Sequence, residues 1–559
     1  MGMSSLAVAV SGLNAAQTGL YVTGHNMANS GTEGYARQRP VQTDFFYSRV
    51  GENGLGILQK GLGTDIKGIV QLRDRFLDAA YRIENSRLGY YTAKAGTGVE
   101  IEAIIGETQS QYNFQSVIID IWNALNELSA HPEGLETRSN FIAMSVSLIT
   151  KASDVYNRLF EYQHNLDERI RAEVKEVNSL VSQIDKLNRK IAHSEKSGDH
   201  ANDYRDQREV CLDKLSGILS IDYKEKPDGT VNITSEGKEL LANGFQKLVA
   251  LKYIANEYSF VEPVLSSDKN ILPASAPMDE FEPLFLFAEP VNADYGNDNG
   301  SLKGLMISRG TRPATYMGAG GLPVPNPADP AEVYRYNNDV YSLENCFIPQ
   351  VMRDMDSLVH GIVTLINDAL APVDLLGEKD PVGPYDLNGS QSYTEVFSRK
   401  TMPRWNGDTL IPETAGNYYS LYTTGNIEIN PELLRAGGAN LLTLSPSGDR
   451  EDNRLLLSLL ESWSDRLVDT SGGERVGVND GYKRLITAIG AETAENLNFM
   501  NEQNVLTAGT DEKRAHIMGV SLDEELKNMM IYQHAYGAAA RILNVIDSML
   551  DRIINNMGA

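Results

Sequence analysis

No Asp, Glu, Lys or Arg occurs in residues 1–32, although acidic and basic residues make up 22% of the chain as a whole. The missing charge excludes a cationic leader, and Ser, Gly and Asn interrupt the apolar residues, so no segment is expected to be removed by signal peptidase. Cysteine is nearly absent. Cys211 and Cys346 stand 135 positions apart, which gives neither a disulfide framework nor a zinc ligand set, and two buried free thiols are expected. No run approaches the roughly 18 apolar residues of a membrane span, so membrane insertion is not expected. A segregated basic patch is also lacking. With 50 Lys plus Arg against 75 Asp plus Glu, the net charge of −25 repels a phosphate backbone and argues against nucleic acid as a partner.

What is present is periodicity at both ends. Leu6, Leu13, Leu20 and Met27 recur at sevens, with Val10 four after Leu6 and Ala16 three after Leu13. Leu522, Met529, Tyr536, Leu543 and Leu550 also recur at sevens, with Leu526, Ala540, Ile546 and Ile553 on the neighbouring stripe. The chain therefore begins and ends in coiled-coil-like helices. A lone amphipathic helix does not offset its ordering entropy without a partner for its stripe. The first arm, rich in Ala, Gly, Ser and Asn, permits close approach but supplies little core. An intramolecular helix pair and packing between molecules are both consistent with this spacing.

At 559 residues the chain exceeds one hydrophobic core, and roughly three or four domains are expected. Residues 61–80 read as an extended piece leading into a helix, and helices dominate to about residue 220. The clearest lies near 155–197, where Ile170, Val177, Ile184 and Ile191 mark sevens beside Val174 and Val181. Around Pro227-Asp228-Gly229 the alternation of apolar and polar residues signals a hairpin. Residues 288–300 and 310–330 read as loops, 347–371 as a helix, 380–445 as turns and short strands, and the chain is helical again from about 452. The fold class expected is α+β and multidomain: paired terminal helices, a long-helix bundle and inserted β-rich outer parts.

Motifs of chemistry are not found. The run 51–65 fits no GxGxxG register and lacks a following Gly-Lys-Ser/Thr. The stretch 292–301 fails as a calcium loop, because placing Gly300 at position 6 puts Tyr295 and Met306 where carboxylates belong. His193, Glu195, Asp199, His200, Asp203 and Asp206 crowd fourteen residues without metal-ligand spacing, and they read as a helix end, a turn and a new helix carrying solvated charge. No GxSxG elbow or Cys-His signature appears. No catalytic, cofactor or metal residue is assigned, and an enzyme is not expected.

The turn that ends the first arm is more specific. Ala28, Asn29, Thr32, Gly34 and Tyr35 form A-N-x-x-T-x-G-Y after an uncharged heptad helix, which resembles the N-terminal motif of bacterial flagellar rod, hook and hook-associated proteins. The preceding SGLNAAQTGLYVTGHNMAN and the C-terminal arm SLDEELKNMMIYQHAYGAAARILNVIDSMLDRIINNMG are similar to that family too. Length and middle segments resemble its hook-associated branch, among them Tyr35-Ala36-Arg37-Gln38, GLGTDIKGIVQLRDRFL, HANDYRDQREVCLDKLSGIL and TTGNIEINPELL. The resemblance is weakest at 245–300 and 310–345. Flagellin lacks the turn.

The resemblance implies a structural part of the flagellum at the junction of hook and filament, outside the cell and exported by the flagellar type III apparatus. It implies as partners further copies of the chain in a ring, the hook protein, hook-associated protein 3 and an export chaperone on the C-terminal arm. It also implies an inner helical layer of both termini, a mostly helical second layer and outward β-rich inserts. The expected borders are 1–60 with 510–559 for the first; 61–240, 301–309, 346–385 and 446–509 for the second; and 241–300, 310–345 and 386–445 for the inserts. Alternatives are a hook or rod protein of the same family, or a flagellar protein with an enzymatic outer domain.

The arms are expected to order on assembly, with the terminal stripes and the turn as contact residues. The turn reads as a joint: Gly31 and Gly34 allow positive φ, and Asn29 and Thr32 can hydrogen-bond local backbone.

Overall fold

The structure, a computed structural model, describes residues 2–53, 56–106, 113–196, 198, 200–254, 258–267, 270–287, 290–465, 468–469 and 474–556, with side chains left undescribed at 2–4, 48–60 and 553–556. Eleven α-helices lie among them: α1 Gly2–Ala28, α2 Arg75–Ile105, α3 Phe114–Ala130, α4 Leu135–Glu195, α5 Asn202–Ile218, α6 Ser301–Arg309, α7 Pro330–Asn345, α8 Phe347–Leu370, α9 Arg454–Ser462, α10 Val478–Met518 and α11 Leu522–Asn556. The chain divides into two compact units, 1–88 with 176–248 and 502–559, and 89–175 with 249–501. Three of the four divisions fall within α2, α4 and α10, so these long helices contribute residues to both, and the fourth falls between residues 248 and 249.

In the first unit α1 packs along α11. The approach is close because α1 has small residues on that side: a Cβ built on Gly19 would stand 2.5 Å from the Tyr532 ring. Strand β1 (Gln38–Asp44) leaves the turn after α1 and pairs antiparallel with β4 (Thr64–Gln71), while β2 (Tyr47–Asn53) pairs antiparallel with β3 (Gly56–Gly61). A second, four-stranded antiparallel meander follows α5: β5 (Asp222–Glu225), β6 (Val231–Ser235), β7 (Lys238–Ala242) and β8 (Phe245–Gln246). Its first turn is the expected Pro227-Asp228-Gly229 hairpin, with Gly229 at φ 79° and Asp228 Oδ1 accepting from the Thr230 amide at 3.0 Å.

The heptad of α4 is satisfied throughout, since Ile170, Val174, Val177, Val181, Ile184 and Ile191 are all buried. This is the physical return on an apolar stripe at period 3.5: every turn presents a side chain on the same side of the helix.

The second unit has a helical core of α3, α8 and α9, in which the Trp122 and Trp463 rings lie 5.4 Å apart. Beside it is a four-stranded sheet of β9 (Leu248–Tyr253), β10 (Val261–Ser266), β11 (Ile271–Leu272) and β12 (Glu282–Pro283), ordered β11-β9-β10-β12 with β11 parallel to β9. Two buried ion pairs fasten it. Lys252 Nζ meets Glu262 Oε1 at 2.8 Å, and Glu262 Oε2 accepts from Tyr334 on α7 at 3.1 Å. Arg309 at the end of α6 bonds Asp167 on α4, which also accepts from the Val261 amide at 2.9 Å and from Arg171 at 2.8 Å.

The insert at 310–345, expected to be β-rich or loop-rich, is helical over Pro330–Asn345. Asp329 caps it by accepting from the Ala331 and Glu332 amides, and Pro330 supplies a pre-set φ at the first turn. The stretch between, 310–329, does remain irregular apart from one short 3-10 turn at Gly318–Gly321.

Candidate functional site

The turn after α1 folds back onto the helix it ends. Asn29 Nδ2 donates to the His25 carbonyl at 3.0 Å, the Thr32 amide to the Asn29 carbonyl at 2.9 Å, and the Tyr35 amide to the Thr32 carbonyl at 3.2 Å. Of the two glycines, Gly34 takes the positive φ, 75°, and it lies against α5: a Cβ there would stand 2.1 Å from Val210 Cγ2. Tyr35 reaches back and donates to Asn26 Oδ1 at 2.8 Å, so His25 Nδ1, 3.0 Å from the same phenol oxygen, is the donor in that bond. Burial first, then Asp203 and Asp206, pushes the Tyr35 phenol well above its ordinary value, which keeps its proton in place.

The next three residues are fastened between them to α1, α5, α10 and α11. The buried Ala36 amide donates to Asp206 Oδ2 on α5 at 3.2 Å. Arg37 reaches the first turn of α11, with Nε on Glu525 at 2.7 Å and Nη1 on Glu524 at 2.5 Å, while its amide donates to the Met518 carbonyl at 2.8 Å. Gln38 exchanges two bonds with the Asn26 side chain on α1, at 3.0 and 2.9 Å, and reaches Asp203 on α5 at 3.2 Å. The joint is therefore a knot of α1, α5 and α11, each held by charged or amide groups with defined partners.

Behind the knot runs a belt of alternating charge. Asp206 meets Arg73 at 3.3 Å, Arg73 meets Asp78 at 2.7 Å, Asp78 meets Arg514 at 2.9 Å, and Arg514 meets Asp213 at 2.6 Å. Asp213 and Glu209 both hold Arg82, each at 2.7 Å, and Glu209 continues to Arg208 at 3.2 Å. Although burial opposes it, Arg82, Arg73 and Arg208 hold the Glu209 carboxyl down at about 2. The charges at Asp206 and Arg208 are thus not solvated as their polar surroundings in sequence imply; they are 5% and 1% exposed. The physical reason is that each has polar partners inside: Asp206 takes Arg73 and the Ala36 amide, and Arg208 takes Asn188 on α4 and the Gly229 carbonyl. Asp199, from the same cluster, lies outside the described residues.

Asp206 differs from its neighbours in the belt. Burial, only partly offset by the Ala36 amide and Arg73, pushes its carboxyl up to about 7. A carboxyl whose folded value lies above its unfolded one stabilises the docked joint fully below the unfolded value and loses that contribution as pH rises through about 7. Protection of the residue 36–38 amides from hydrogen exchange, corrected for intrinsic rates, is therefore expected to fall between about pH 4 and about pH 7 and to level off above that. Asp206→Asn keeps an acceptor for Ala36 and is expected to flatten that dependence; an unchanged slope in the variant would assign it to another group.

The arm residues singled out by spacing fall into two groups. On α1 Ser5, Ala9, Gly12, Ala16, Gly19, Thr23 and Asn26 form a heptad of small and polar residues, of which all but Ser5 and Gly12 are buried, and Gly19 among them stands against Tyr532 of α11. Leu6, Leu13, Leu20 and Met27 flank it half-buried, Val10 is exposed, and Ala28 is exposed at the helix end. On α11 the inward stripe is Glu525, Met529, Tyr532, Tyr536, Ala539, Leu543 and Ile546, with Glu525, Ala539 and Ile546 buried. Met529, Ala540 and Leu543 are half-buried, whereas Leu522, Leu526, Tyr536 and Leu550 are exposed. The Ile553 side chain lies outside the described residues. Spacing alone passes over Asn26, Gln38, Asp203, Asp206, Glu524 and Glu525. The one sequence signal for the last two is an acidic first turn that complements the helix dipole and a nearby arginine.

Both cysteines are free and buried, and among the described residues no group of His, Cys, Asp and Glu could hold a metal ion and no helix is long and apolar enough to cross a membrane.

Residues 99–275 match the family described as flagellar hook-associated protein FlgK helical domain, and residues 517–557 match the C-terminal family of flagellar basal body rod FlgEFG proteins. Along nearly the whole chain there is similarity to flagellar hook-associated protein 1 of Bacillus subtilis (strain 168), 28% identical over 98% of this chain and 96% of that protein. The Escherichia coli (strain K12) protein of the same name is 24% identical over 98% of each chain. In three dimensions the fold is similar to the flagellar hook junction protein FlgK from Burkholderia pseudomallei, with a TM-score of 0.52 at 12% identity over 80% of this chain and all of that one.

Proposed function

We infer that the chain belongs to the flagellar hook-associated protein 1 family and serves as a structural component of the bacterial flagellum at the junction of hook and filament. The observation that carries this reading is similarity from end to end: the 28% identity to the Bacillus subtilis protein covers 98% of the chain, including both arms and the turn between α1 and the body. Its place is in the flagellum, in association with the other axial components.

The finer parts of the reading rest on the arms and the joint. The chain is exported and assembles outside the cell as a ring of copies between hook protein and hook-associated protein 3, with the C-terminal arm held by a chaperone beforehand. Leu6, Val10, Leu13, Leu20 and Met27 on α1, and Leu522, Leu526, Met529, Tyr536, Ala540, Leu543 and Leu550 on α11, remain at least partly exposed in the single chain, and supply contact surface to neighbouring subunits. Ala28, Asn29, Thr32, Gly34 and Tyr35 set the direction in which the arm leaves the body. Because the inward side of α1 has small residues, the helix pair alone buries little apolar area, so ordering of the arms is coupled to assembly. The body acts as a spacer without enzymatic activity.

Deletion of the gene followed by electron microscopy tests the reading. Hooks of normal length lacking filaments, with filament subunits shed into the medium, are expected; filaments still attached to hooks would refute it.

A further inference from the structure

In the second unit α2, the loop that precedes α6 and α10 line a cleft of about 470 Å³. One wall is aromatic. The Tyr91 and Phe499 rings lie 4.9 Å apart, and Tyr90 meets Tyr91 edge-on at 5.2 Å. Both phenols spend their protons on the loop: Tyr91 donates to Asp298 at 2.7 Å, and Tyr90 donates to the Val291 carbonyl at 3.4 Å. The loop is also fixed from within. Asn292 Oδ1 accepts from the Asp294 and Tyr295 amides at 3.1 and 3.2 Å, and Asn297 Oδ1 accepts from the Asn292 amide at 3.0 Å. The stretch that fails as a calcium loop thus has a defined shape of its own, and it brings Asp294 to the cleft.

The polar groups left unspent in the cleft are mostly acceptors. Lys94, the one cation among its lining residues, is taken by Glu492 at 3.1 Å. Glu495 on α10 and Asp294 on the loop are exposed and have no ion-pair partner among the described residues, so three carboxylates against one lysine leave an excess of negative charge. Asn496 is only 4% exposed. Its Nδ2 donates to the Glu492 carbonyl at 2.8 Å, one turn back on the same helix, while its carboxamide oxygen has no partner among the described residues. An acceptor so deeply placed costs free energy unless water or a ligand in the cleft supplies a donor. Negative charge alone would draw any counterion, but the rings and the buried oxygen narrow the class. Aromatic walls favour an organic cation with an apolar stem, and carboxylates on two different elements call for more than one positive end.

We propose that this cleft binds a free aliphatic polyamine. One ammonium end donates to Asn496 Oδ1 and pairs with Glu495, the methylene stem lies against the aromatic wall, of which Phe499 is the most open part, and a second ammonium pairs with Asp294. A metal ion fits less well, because among the described residues no three carboxylate, imidazole or thiol groups converge on one point and aromatic rings offer it no ligands. A monoamine fills only one end and leaves Asp294 unpaired.

Calorimetric titration of the purified full-length chain with spermidine tests the assignment, with ethylamine and magnesium chloride as comparison ligands at matched ionic strength. One saturable site with a Kd below about 1 mM is expected for spermidine, and binding at least about tenfold weaker for ethylamine and for magnesium. Asn496→Leu removes the buried acceptor and is expected to weaken spermidine binding about tenfold. Glu495→Gln and Asp294→Asn, both at exposed positions, are expected to weaken it about two- to fivefold each, with tryptophan unfolding curves like that of the unsubstituted chain. These two variants decide the matter even where Asn496→Leu does not fold. The absence of saturable spermidine binding overturns the proposal, and so does magnesium binding as tight as that of spermidine. Spermidine binding that Glu495→Gln and Asp294→Asn leave unchanged also overturns it, since the affinity would then belong to the net charge of −25 and not to the cleft.

Discussion

Gly34→Val is expected to abolish attachment of filaments while leaving the second compact unit folded. At this position the backbone has φ 75°, which a β-branched residue rarely adopts, and its Cβ would stand 2.1 Å from Val210 Cγ2. Strain and overlap together are worth roughly 2–5 kcal/mol against the docked turn. The cheapest relief is for residues 34–38 to leave α5, which releases Ala36 from Asp206, Gln38 from Asp203 and Arg37 from Glu524 and Glu525 together. The arm then leaves the body in no fixed direction, and its seams no longer meet their partners. All three tryptophans, Trp122, Trp405 and Trp463, belong to the second unit, so their fluorescence reports that unit alone. An unchanged tryptophan unfolding curve together with lost motility is the expected pair of results. Motile cells with normal filaments would show that the docked turn is dispensable.

Asp167→Ala is expected to have the largest effect on the body. Its carboxylate is 4% exposed and takes Arg309, Arg171 and the Val261 amide, thereby joining α4, α6 and β10. Arg309 is itself 1% exposed, and its guanidinium lies 5.1 Å from the centre of the Phe260 ring, so alanine leaves a positive charge among apolar neighbours. Removing one partner of a buried pair costs about 3–5 kcal/mol, a large fraction of the roughly 5–15 kcal/mol that holds a domain folded. The urea midpoint followed by tryptophan fluorescence should fall accordingly. Asp167→Asn, which keeps acceptors for the amide and for arginine, should fall less; equal losses for both variants would trace the effect to packing rather than to charge.

The long helices and the α+β class were legible because their information is local. The α4 stripe from Ile170 to Ile191 announces its buried side by spacing alone, and Pro227-Asp228-Gly229 announces its turn by backbone preference. Helix α7 was not legible: Tyr334, Tyr336 and Tyr341 are not a strong apolar stripe, and its start depends on Asp329 capping a helix that Pro330 opens. The charged run at 193–209 was also misleading. Hydropathy places Asp206 and Arg208 at the surface, whereas the belt places them inside, because each buried charge there has an opposite charge within hydrogen-bond reach.

The arms divide along the same line. The sequence by itself determined that both termini are helices, that the first has no charge, and that a turn with two glycines free to take positive φ ends it. Periodicity of one helix contains no statement of what lies opposite, so leucines at sevens drew the eye to Leu6, Leu13, Leu20 and Met27. Only the tertiary structure decided that Gly19 of α1 stands against Tyr532 of α11, that Arg37 is held by Glu524 and Glu525 487 and 488 positions away, and that Arg514 meets Asp78 across 436. Contacts at such separations are chosen by complementary charge and by how closely two backbones can approach, and neither is written in the spacing of a single helix.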